Sequence, residues 1–226
     1  MRGIGDIIVS SRPYEEYRDM FGLTDAELLA GPVLDCPGGA GGFAAGLRAR
    51  GGEVVSADPA YAEDPAALVA RSRAGLEHGL RYLAENRDSY VWTWFDSAED
   101  LAERRLGALD AFARDRRDLA DPRYVPAALP DLPFADGAFR LALSGYLLFA
   151  YPDHLDPEAH EAALRELLRV AGEVRVYPLI DTAYVRYPGI DDLRSALERD
   201  GVASEVRRVD YAFQAGADEV LVLSRP

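Results

Sequence analysis

Apolar residues recur along this chain in two spacings that alternate from one segment to the next. Short apolar runs predict strands, whereas apolar positions three and four residues apart predict one buried face of a helix. The predicted strands cover residues 32–36, 53–57, 124–129, 140–148, 173–180, 205–213 and 219–224. The predicted helices cover residues 14–21, 24–30, 42–51, 64–86, 98–117, 160–170 and 190–199. This alternation indicates an α/β protein built from strand–helix–strand units.

The last two predicted strands depart from the alternation, because only the short segment from Gln214 to Asp218 joins them. Such a connection requires antiparallel strands, since a parallel pair needs a longer crossover. We therefore predict a three-layer, Rossmann-like fold with a mostly parallel, seven-stranded sheet that ends in a C-terminal antiparallel hairpin. Residues 1–226 are predicted to form one domain. Residues 62–121 exceed an ordinary crossover and are predicted to form a helical insertion or cap within it.

The composition excludes several classes of enzyme. The chain has 226 residues, a formal net charge of −14 and no lysine. Schiff-base and pyridoxal-phosphate enzymes need a lysine amine, and P-loop and protein-kinase sites need a lysine to hold phosphates. The strongly acidic charge repels a phosphate backbone, so we do not expect nucleic acid as a partner.

The composition also predicts a location. No apolar run approaches the roughly 20 residues of a membrane helix, and the N-terminus lacks the pattern of a secretory signal. The single cysteine, Cys36, cannot form an internal disulfide, which is typical of a reducing compartment. We therefore expect a cytoplasmic protein without membrane contact. Its three histidines and one cysteine are scattered, so no metal site is predicted.

A glycine-rich turn between the first predicted strand and the next helix is the main chemical signal, with the sequence Asp35-Cys-Pro-Gly-Gly-Ala-Gly-Gly-Phe43. Glycines at such a turn permit positive φ and let the backbone approach a ligand closely. Residues 39–44 fit the dinucleotide pattern G-x-G-x-x-A formally. The glycine spacing alone therefore leaves a dinucleotide and S-adenosylmethionine open.

Two aspartates help to distinguish a dinucleotide from S-adenosylmethionine. Asp35 ends the first strand directly before the turn, where a carboxylate repels a pyrophosphate and suits the positively charged S-adenosylmethionine. Asp58, followed by Pro59, ends the second strand, where an acid accepts hydrogen bonds from ribose hydroxyls. Both kinds of cofactor contain ribose, so Asp58 indicates a nucleoside without identifying it.

Together these features resemble the class I S-adenosylmethionine-dependent methyltransferases, from about Val33 to the C-terminus. Residues 132–140, LPFADGAFR, are similar to the stretch that leads into the fourth strand of many such enzymes. The tail is similar to a poorly characterised bacterial branch of the family. The D-x-G-x-G-x-G motif aligns with Asp35, Pro37, Gly39 and Gly41.

The chain also departs from the family pattern. Pro37 replaces the first motif glycine and so removes one backbone N–H, and Arg140 replaces the last aspartate of the LPFxDGxFD stretch. The resemblance nevertheless implies a set of cofactor-binding residues. They are Arg12, Tyr14, Asp35, Cys36, Pro37, Gly38, Gly39, Gly41, Asp58, Pro59, Ala128, Leu129 and Ser144.

The resemblance also assigns roles within this set. Ala128 and Leu129 are expected near the adenine, and Ser144 near the transferred methyl group. Arg12, in the segment before the first strand, is expected to pair with the methionine carboxylate, and a tyrosine of the following helix, Tyr14 or Tyr17, to line the site.

Catalytic candidates follow the fourth strand. Tyr146 is expected to orient a substrate or to act as a base, against the alternative that it only packs at a strand end. His160 is a candidate general base, as is His154, against the alternative that His160 faces solvent at the start of a helix. Cys36 is interpreted as an inert thiol whose backbone contacts the cofactor.

The sequence therefore predicts methyl transfer from S-adenosylmethionine to a small molecule by a monomer or homodimer. Two alternatives stay open. The G-x-G-x-x-A match favours an NAD(P)-dependent oxidoreductase, and the lack of an evident catalytic apparatus favours a non-catalytic, cofactor-binding protein on the same fold. Neither the methyl acceptor nor the acceptor atom is specified by the sequence.

Overall fold

A computed structural model describes residues 8–151 and 155–225 of the chain. Seven α-helices occur in these residues: α1 Tyr14–Met20, α2 Asp25–Leu29, α3 Phe43–Ala49, α4 Pro65–Glu85, α5 Ala98–Asp115, α6 Pro157–Val170 and α7 Ile190–Arg199. The strands are β1 Val33–Asp35, β2 Val54–Ala57, β3 Tyr124–Val125, β4 Phe139–Gly145, β5 Ala171–Tyr177, β6 Ala203–Arg208 and β7 Glu219–Ser224. Short 3-10 turns occupy Pro59–Ala62 and Arg87–Ser89.

The strands form one seven-stranded sheet in the order β3-β2-β1-β4-β5-β7-β6. β7 pairs antiparallel with both of its neighbours, and the other paired strands run parallel. The predicted Rossmann-like architecture, with a mostly parallel sheet and a C-terminal antiparallel hairpin, is confirmed. From β1 the chain moves outward to β2 and β3, and from β4 it moves in the opposite direction. The carboxyl ends of β1 and β4 therefore flank the switch point at which open α/β sheets bind ligands.

Alternation along the strands creates the two helical layers. Leu141 and Leu143 of β4 pack in the same apolar cluster as α1 and α3, whereas Ala142 packs with α6 and α7 on the other face. Successive side chains of a strand point to opposite faces, so a continuous apolar run is buried on both sides. Each fully buried leucine contributes about 1.5–3 kcal/mol of transfer free energy.

Several local signals in the sequence fix the helix ends. Thr24 and Glu27 form the predicted capping box at the start of α2, with both reciprocal hydrogen bonds present. Gly51 follows α3 with φ +87°, a conformation that glycine adopts without the cost of a Cβ. Asp64 caps α4 by accepting from the N–H groups of the next turn, and Pro65 occupies the first helical position.

Most strand and helix ends differ from the prediction by one to three residues, and three boundaries differ in an informative way. β3 ends at Val125 because Pro126 has no N–H with which to continue the ladder. α6 begins before His160, since Asp156 accepts from Ala159 N and places Pro157 in the first turn. β6 ends at Arg208, so a longer segment than predicted leads to β7.

The predicted insertion, residues 62–121, contains α4 and α5, which pack against each other. Leu68 of α4 and Leu109 and Phe112 of α5 form an apolar cluster with Tyr124 of the edge strand β3. These two helices therefore pack beside the edge strand β3, and one face of α4 lines a cavity described below. Within the described residues, no helix combines the length and the apolar character required to cross a bilayer.

Candidate functional site

A cleft of about 530 Å³ lies at the carboxyl ends of β1, β2 and β4. Its volume falls in the range of roughly 300–1,000 Å³ that is usual for small-molecule and cofactor sites. Nine of the sequence-predicted site residues line it: Cys36, Pro37, Gly38, Gly39, Asp58, Pro59, Ala128, Leu129 and Tyr146. The switch point of the sheet therefore coincides with the position that the sequence predicted for the cofactor.

Asp58 is held rigidly at the end of β2. Its Oδ1 accepts a hydrogen bond from Ala60 N at 2.9 Å, and its Oδ2 accepts one from Gly39 N at 2.9 Å. Burial raises the pKa of Asp58 above its usual value, and the two backbone donors oppose that change by stabilising the charged form. Each carboxylate oxygen keeps a second lone pair for a ligand hydroxyl at the cleft.

The backbone N–H groups of the glycine turn donate hydrogen bonds to acceptors within the protein. The pairs are Gly38 N to Ala57 O, Gly39 N to Asp58 Oδ2, Ala40 N to Ser10 O, Gly41 N to Gly38 O and Gly42 N to Arg12 O. Dinucleotide enzymes leave such N–H groups free to bind the pyrophosphate. The five donors of this turn are already committed to acceptors in the chain, so they are not free to bind a diphosphate.

The extended segment of residues 8–12, which we call the strap, crosses over this turn. A Cβ on Gly39, whose φ is +55°, would lie 2.9 Å from Ser10 O, and a Cβ on Gly41 would lie 3.3 Å from Arg12 O. Real Cβ atoms do not approach a carbonyl oxygen as closely as the first distance. The missing side chains of these two glycines therefore allow the strap to approach the turn closely. The sequence analysis predicted that they allow a close approach of the cofactor.

Asp35 lies beneath the turn and is almost fully buried. Its Oδ1 has no hydrogen-bond partner among the described residues, and its Oδ2 accepts from Ser56 Oγ at 3.5 Å. Burial raises the pKa of Asp35 to about 8, while a hydrogen bond from Tyr17 opposes the shift. The acid is therefore mostly protonated at pH 7. The sequence argument requires an ionised carboxylate at this position, so Asp35 would have to lose its proton when a positively charged ligand binds nearby.

Tyr146 directly follows β4 with φ +54°, in the left-handed region that few non-glycine residues adopt. The guanidinium of Arg12 lies 3.7 Å from the centre of its ring. Its hydroxyl is buried beside that of Tyr177 and makes no well-formed hydrogen bond with any of residues 8–151 and 155–225. Burial raises the pKa of Tyr146, and the nearby Arg12 acts in the opposite direction. A buried phenol with a free donor suits the orientation of a ligand better than the removal of a proton.

A second cavity, which we call the chamber, adjoins the cleft and has a volume of about 140 Å³. Ile8 and Ser10 of the strap, together with Tyr146, line both cavities. One face of α4 forms an apolar wall of the chamber, and Arg12 and Arg105 supply its charge. A ligand in the chamber would therefore lie next to a ligand in the cleft.

Asp35 and four further predicted cofactor-binding residues do not line the cleft. Arg12 lines the chamber, and its carbonyl rather than its side chain contacts the glycine turn. The ring of Tyr14 packs against Phe43 and Arg50, away from the cleft, and Tyr17 lines the cleft in its place. Gly41 and Ser144 are buried but do not line the cleft.

The position of His160 does not suit the catalytic role predicted from the sequence. The residue is fully buried, and its two ring nitrogens each lie 2.7 Å from a backbone carbonyl oxygen, those of Asp156 and Leu148. Its ring stacks on Phe149 and Tyr187. Both nitrogens thus face backbone carbonyl oxygens at the start of α6, and His160 does not line the cleft. His154, the other histidine considered, lies outside the described residues.

The strap and a buried charge cluster were missed by the sequence analysis. Ser10 carries no sequence signal because its contribution is a backbone carbonyl. Glu16 accepts from Arg105 Nη2 at 2.5 Å and from the Tyr211 hydroxyl at 2.7 Å, partners that lie 89 and 195 residues away in sequence. No local pattern predicts such contacts. In the part of the chain that the structure describes, no group of three or more histidine, cysteine or acidic residues is arranged to hold a metal ion.

Comparison with known proteins gives weak similarities. No family model matches the chain. An uncharacterised protein of the archaeon Methanocaldococcus jannaschii is 24% identical over 221 residues, which cover 97% of this chain and 97% of the relative. Since this relative is archaeal, the predicted bacterial branch stays a prediction.

Solved structures with some similarity in backbone fold include methyltransferases. One is a 1,6-didemethyltoxoflavin-N1-methyltransferase of Burkholderia thailandensis with bound 1,6-didemethyltoxoflavin and S-adenosylhomocysteine. It is 16% identical, has a TM-score of 0.47, and the match covers 94% of this chain and 80% of that one. An S-adenosylmethionine-dependent methyltransferase of Methanosarcina mazei is 13% identical with a TM-score of 0.43, covering 86% and 92%. Similarities of this size do not identify a reaction.

Proposed function

We propose that this protein binds S-adenosylmethionine in the cleft and transfers its methyl group to a small molecule in the chamber. The observation that carries the proposal is the combination of a buried acid at the end of β2 with a glycine turn whose N–H groups are already donated. Asp58 suits a ribose, whereas the occupied turn offers nothing to a diphosphate. S-adenosylmethionine is a nucleoside cofactor without a phosphate, and it meets both conditions.

Specific residues would hold the cofactor. Ala128 and Leu129 provide an apolar surface for the adenine, and Asp58 accepts from the ribose hydroxyls. Gly39 and Tyr17 line the end of the cleft that is left for the methionine portion. Asp35, under the turn, becomes ionised more readily when a positive group binds nearby, because an opposite charge favours the charged form.

The chemistry requires little from the protein beyond positioning. When bound, the cofactor supplies a methyl group that is already activated for displacement. Tyr146 lies at the boundary between the cleft and the chamber, and its free hydroxyl donates to the acceptor and orients it. The apolar walls exclude water, so proximity and alignment account for most of the rate enhancement.

Isothermal titration calorimetry with S-adenosylhomocysteine tests the proposal. The wild type should bind, and Asp58→Ala should bind at least about tenfold more weakly, because hydrogen bonds to a charged group contribute about 1.5–3 kcal/mol each. Asp64→Ala is a matched control. Asp64 also precedes a proline and accepts from two backbone N–H groups, but it is exposed and outside the cleft.

The same titrations discriminate the alternatives. An oxidoreductase should bind NAD(H) or NADP(H) and not S-adenosylhomocysteine, and that result would overturn the proposal. Equal affinity of the wild type and Asp58→Ala would do the same. A non-catalytic, cofactor-binding protein would bind S-adenosylhomocysteine but transfer no labelled methyl group to any component of a cell extract.

A further inference from the structure

We propose that the chamber binds the carboxylate of a small apolar acid, so that the methyl acceptor is a monocarboxylate. The assignment of this acid as the acceptor rests on the proposed function, but its binding does not. Three observations point to this ligand: the charge of the chamber, its unpartnered polar atoms and the character of its walls.

The chamber carries an excess positive charge. Arg12 and Arg105 both line it, and among the described residues both pair with one carboxylate, Glu16. The exposed fractions of these three side chains are 10%, 6% and 0%, respectively. Two guanidinium groups and one carboxylate leave one positive charge out of water, where an unpaired charge is costly. One anionic group on a ligand would neutralise it.

Two hydroxyl groups around the chamber lack a well-formed hydrogen bond. Ser11 Oγ and the Tyr146 hydroxyl are both buried and find no such partner within the described chain. Ser11 is 2% exposed. Buried polar groups are nearly always hydrogen-bonded, so two such donors around one cavity indicate a ligand with acceptor atoms. A carboxylate has two acceptor oxygens and about four lone-pair positions.

The remaining walls favour an apolar body. Leu76, Leu80 and Leu83 of α4 face the chamber, as do Tyr90 and Phe213. A single excess charge matches a carboxylate, whereas a phosphomonoester brings between about 1.5 and 2 negative charges at neutral pH. The small volume and these walls therefore select an acid with a compact aromatic or aliphatic body.

Ligand-side titrations test the inference on the unmodified protein. Benzoate, phenylacetate, 4-hydroxybenzoate and hexanoate, each with its carboxamide, are titrated with and without saturating S-adenosylhomocysteine, and phenyl phosphate is added as a dianion. At least one acid should bind at least about tenfold more tightly than its amide and than phenyl phosphate. Absence of binding by all four acids, or equal affinity of acids and amides, would overturn the inference.

Two neighbouring arginines of α5 provide a matched pair of variants. Arg105→Gln should weaken binding of the acid about tenfold or more, whereas Arg104→Gln should not, because Arg104 is largely exposed and bonded to Asp100. If Arg105→Gln does not fold, Ser11→Ala removes an unpartnered donor with a smaller change and should weaken the acid several-fold. An unchanged affinity in whichever variant folds would contradict the proposal.

The two proposals fail separately. Binding of S-adenosylhomocysteine without any acid would refute the chamber assignment alone. Binding of an acid without S-adenosylhomocysteine would refute the methyltransfer proposal and leave the anion site in place. Arg105→Gln should leave the affinity for S-adenosylhomocysteine unchanged, since Arg105 does not line the cleft.

Discussion

The replacement Asp35→Asn should abolish a large pH dependence of the protein's stability. In an unfolded chain an aspartate has a pKa of about 3.9, whereas burial raises the pKa of Asp35 to about 8. Between these two pH values the folded protein holds a proton that the unfolded chain has released. Stability therefore falls as the pH rises, and the loss is complete above the folded-state pKa.

The size of the stability change follows from the difference between the pKa values of Asp35 in the unfolded and folded states. Each pH unit between the two pKa values changes the free energy of unfolding by about 1.36 kcal/mol. From pH 5 to pH 8, Asp35 should thus lower the stability of the wild type by about 4 kcal/mol. Asparagine is neutral throughout, so Asp35→Asn should gain about this much relative to the wild type over the same range.

Urea unfolding at half-unit pH steps, followed by the fluorescence of Trp92 and Trp94, measures the effect. The relevant quantity is the difference between variant and wild type, because the other titrating groups of this acidic chain cancel in it. Asp64→Asn, the same replacement at the exposed cap of α4, is the matched control. A flat difference for Asp35→Asn would refute the buried, protonated acid.

Three further predictions concern the neighbours of the cleft. Tyr17→Phe removes a hydroxyl contact that favours ionised Asp35. In urea titrations the stability of this variant should therefore level off at a higher pH than that of the wild type. Gly39→Ala should cost at least about 1–3 kcal/mol more than Gly51→Ala in the same assay, because both have positive φ but only the first meets a carbonyl oxygen; equal costs would contradict the close approach of the strap. His160→Ala should lower the free energy of unfolding by about 2–4 kcal/mol while the folded fraction keeps its affinity for S-adenosylhomocysteine in calorimetry, and a selective loss of activity in a stable variant would restore a catalytic role.

The elements of the fold were predictable because each leaves a local mark on the sequence. The apolar run of β4 and the capping box at Thr24 specify their conformations within a few residues, and the antiparallel pairing of β6 with β7 follows from a connection too short for a parallel crossover. Asp58 was predictable for a related reason, since its position at a strand end alone brings it to the cleft.

The remaining parts of the site depend on contacts between distant segments. Two of the five acceptors for the glycine turn are the carbonyl groups of Ser10 and Arg12, which precede the turn by about thirty residues. Backbone carbonyls are common to all residues, so no residue type signals this use. The raised pKa of Asp35 depends on how completely the folded chain excludes water from its carboxyl group. The burial of His160 depends on stacking against aromatic residues such as Tyr187, which tertiary packing brings next to it.

The strap forms a wall that the two cavities share. Carbonyls of Ser10 and Arg12 accept from the glycine turn, while Ile8 and Ser10 line both the cleft and the chamber. Any displacement of this wall by an occupant on one side changes the space offered on the other. Thermodynamic linkage then requires that each occupant alter the other's dissociation constant by the same factor, so the order in which they are added cannot change the final affinity.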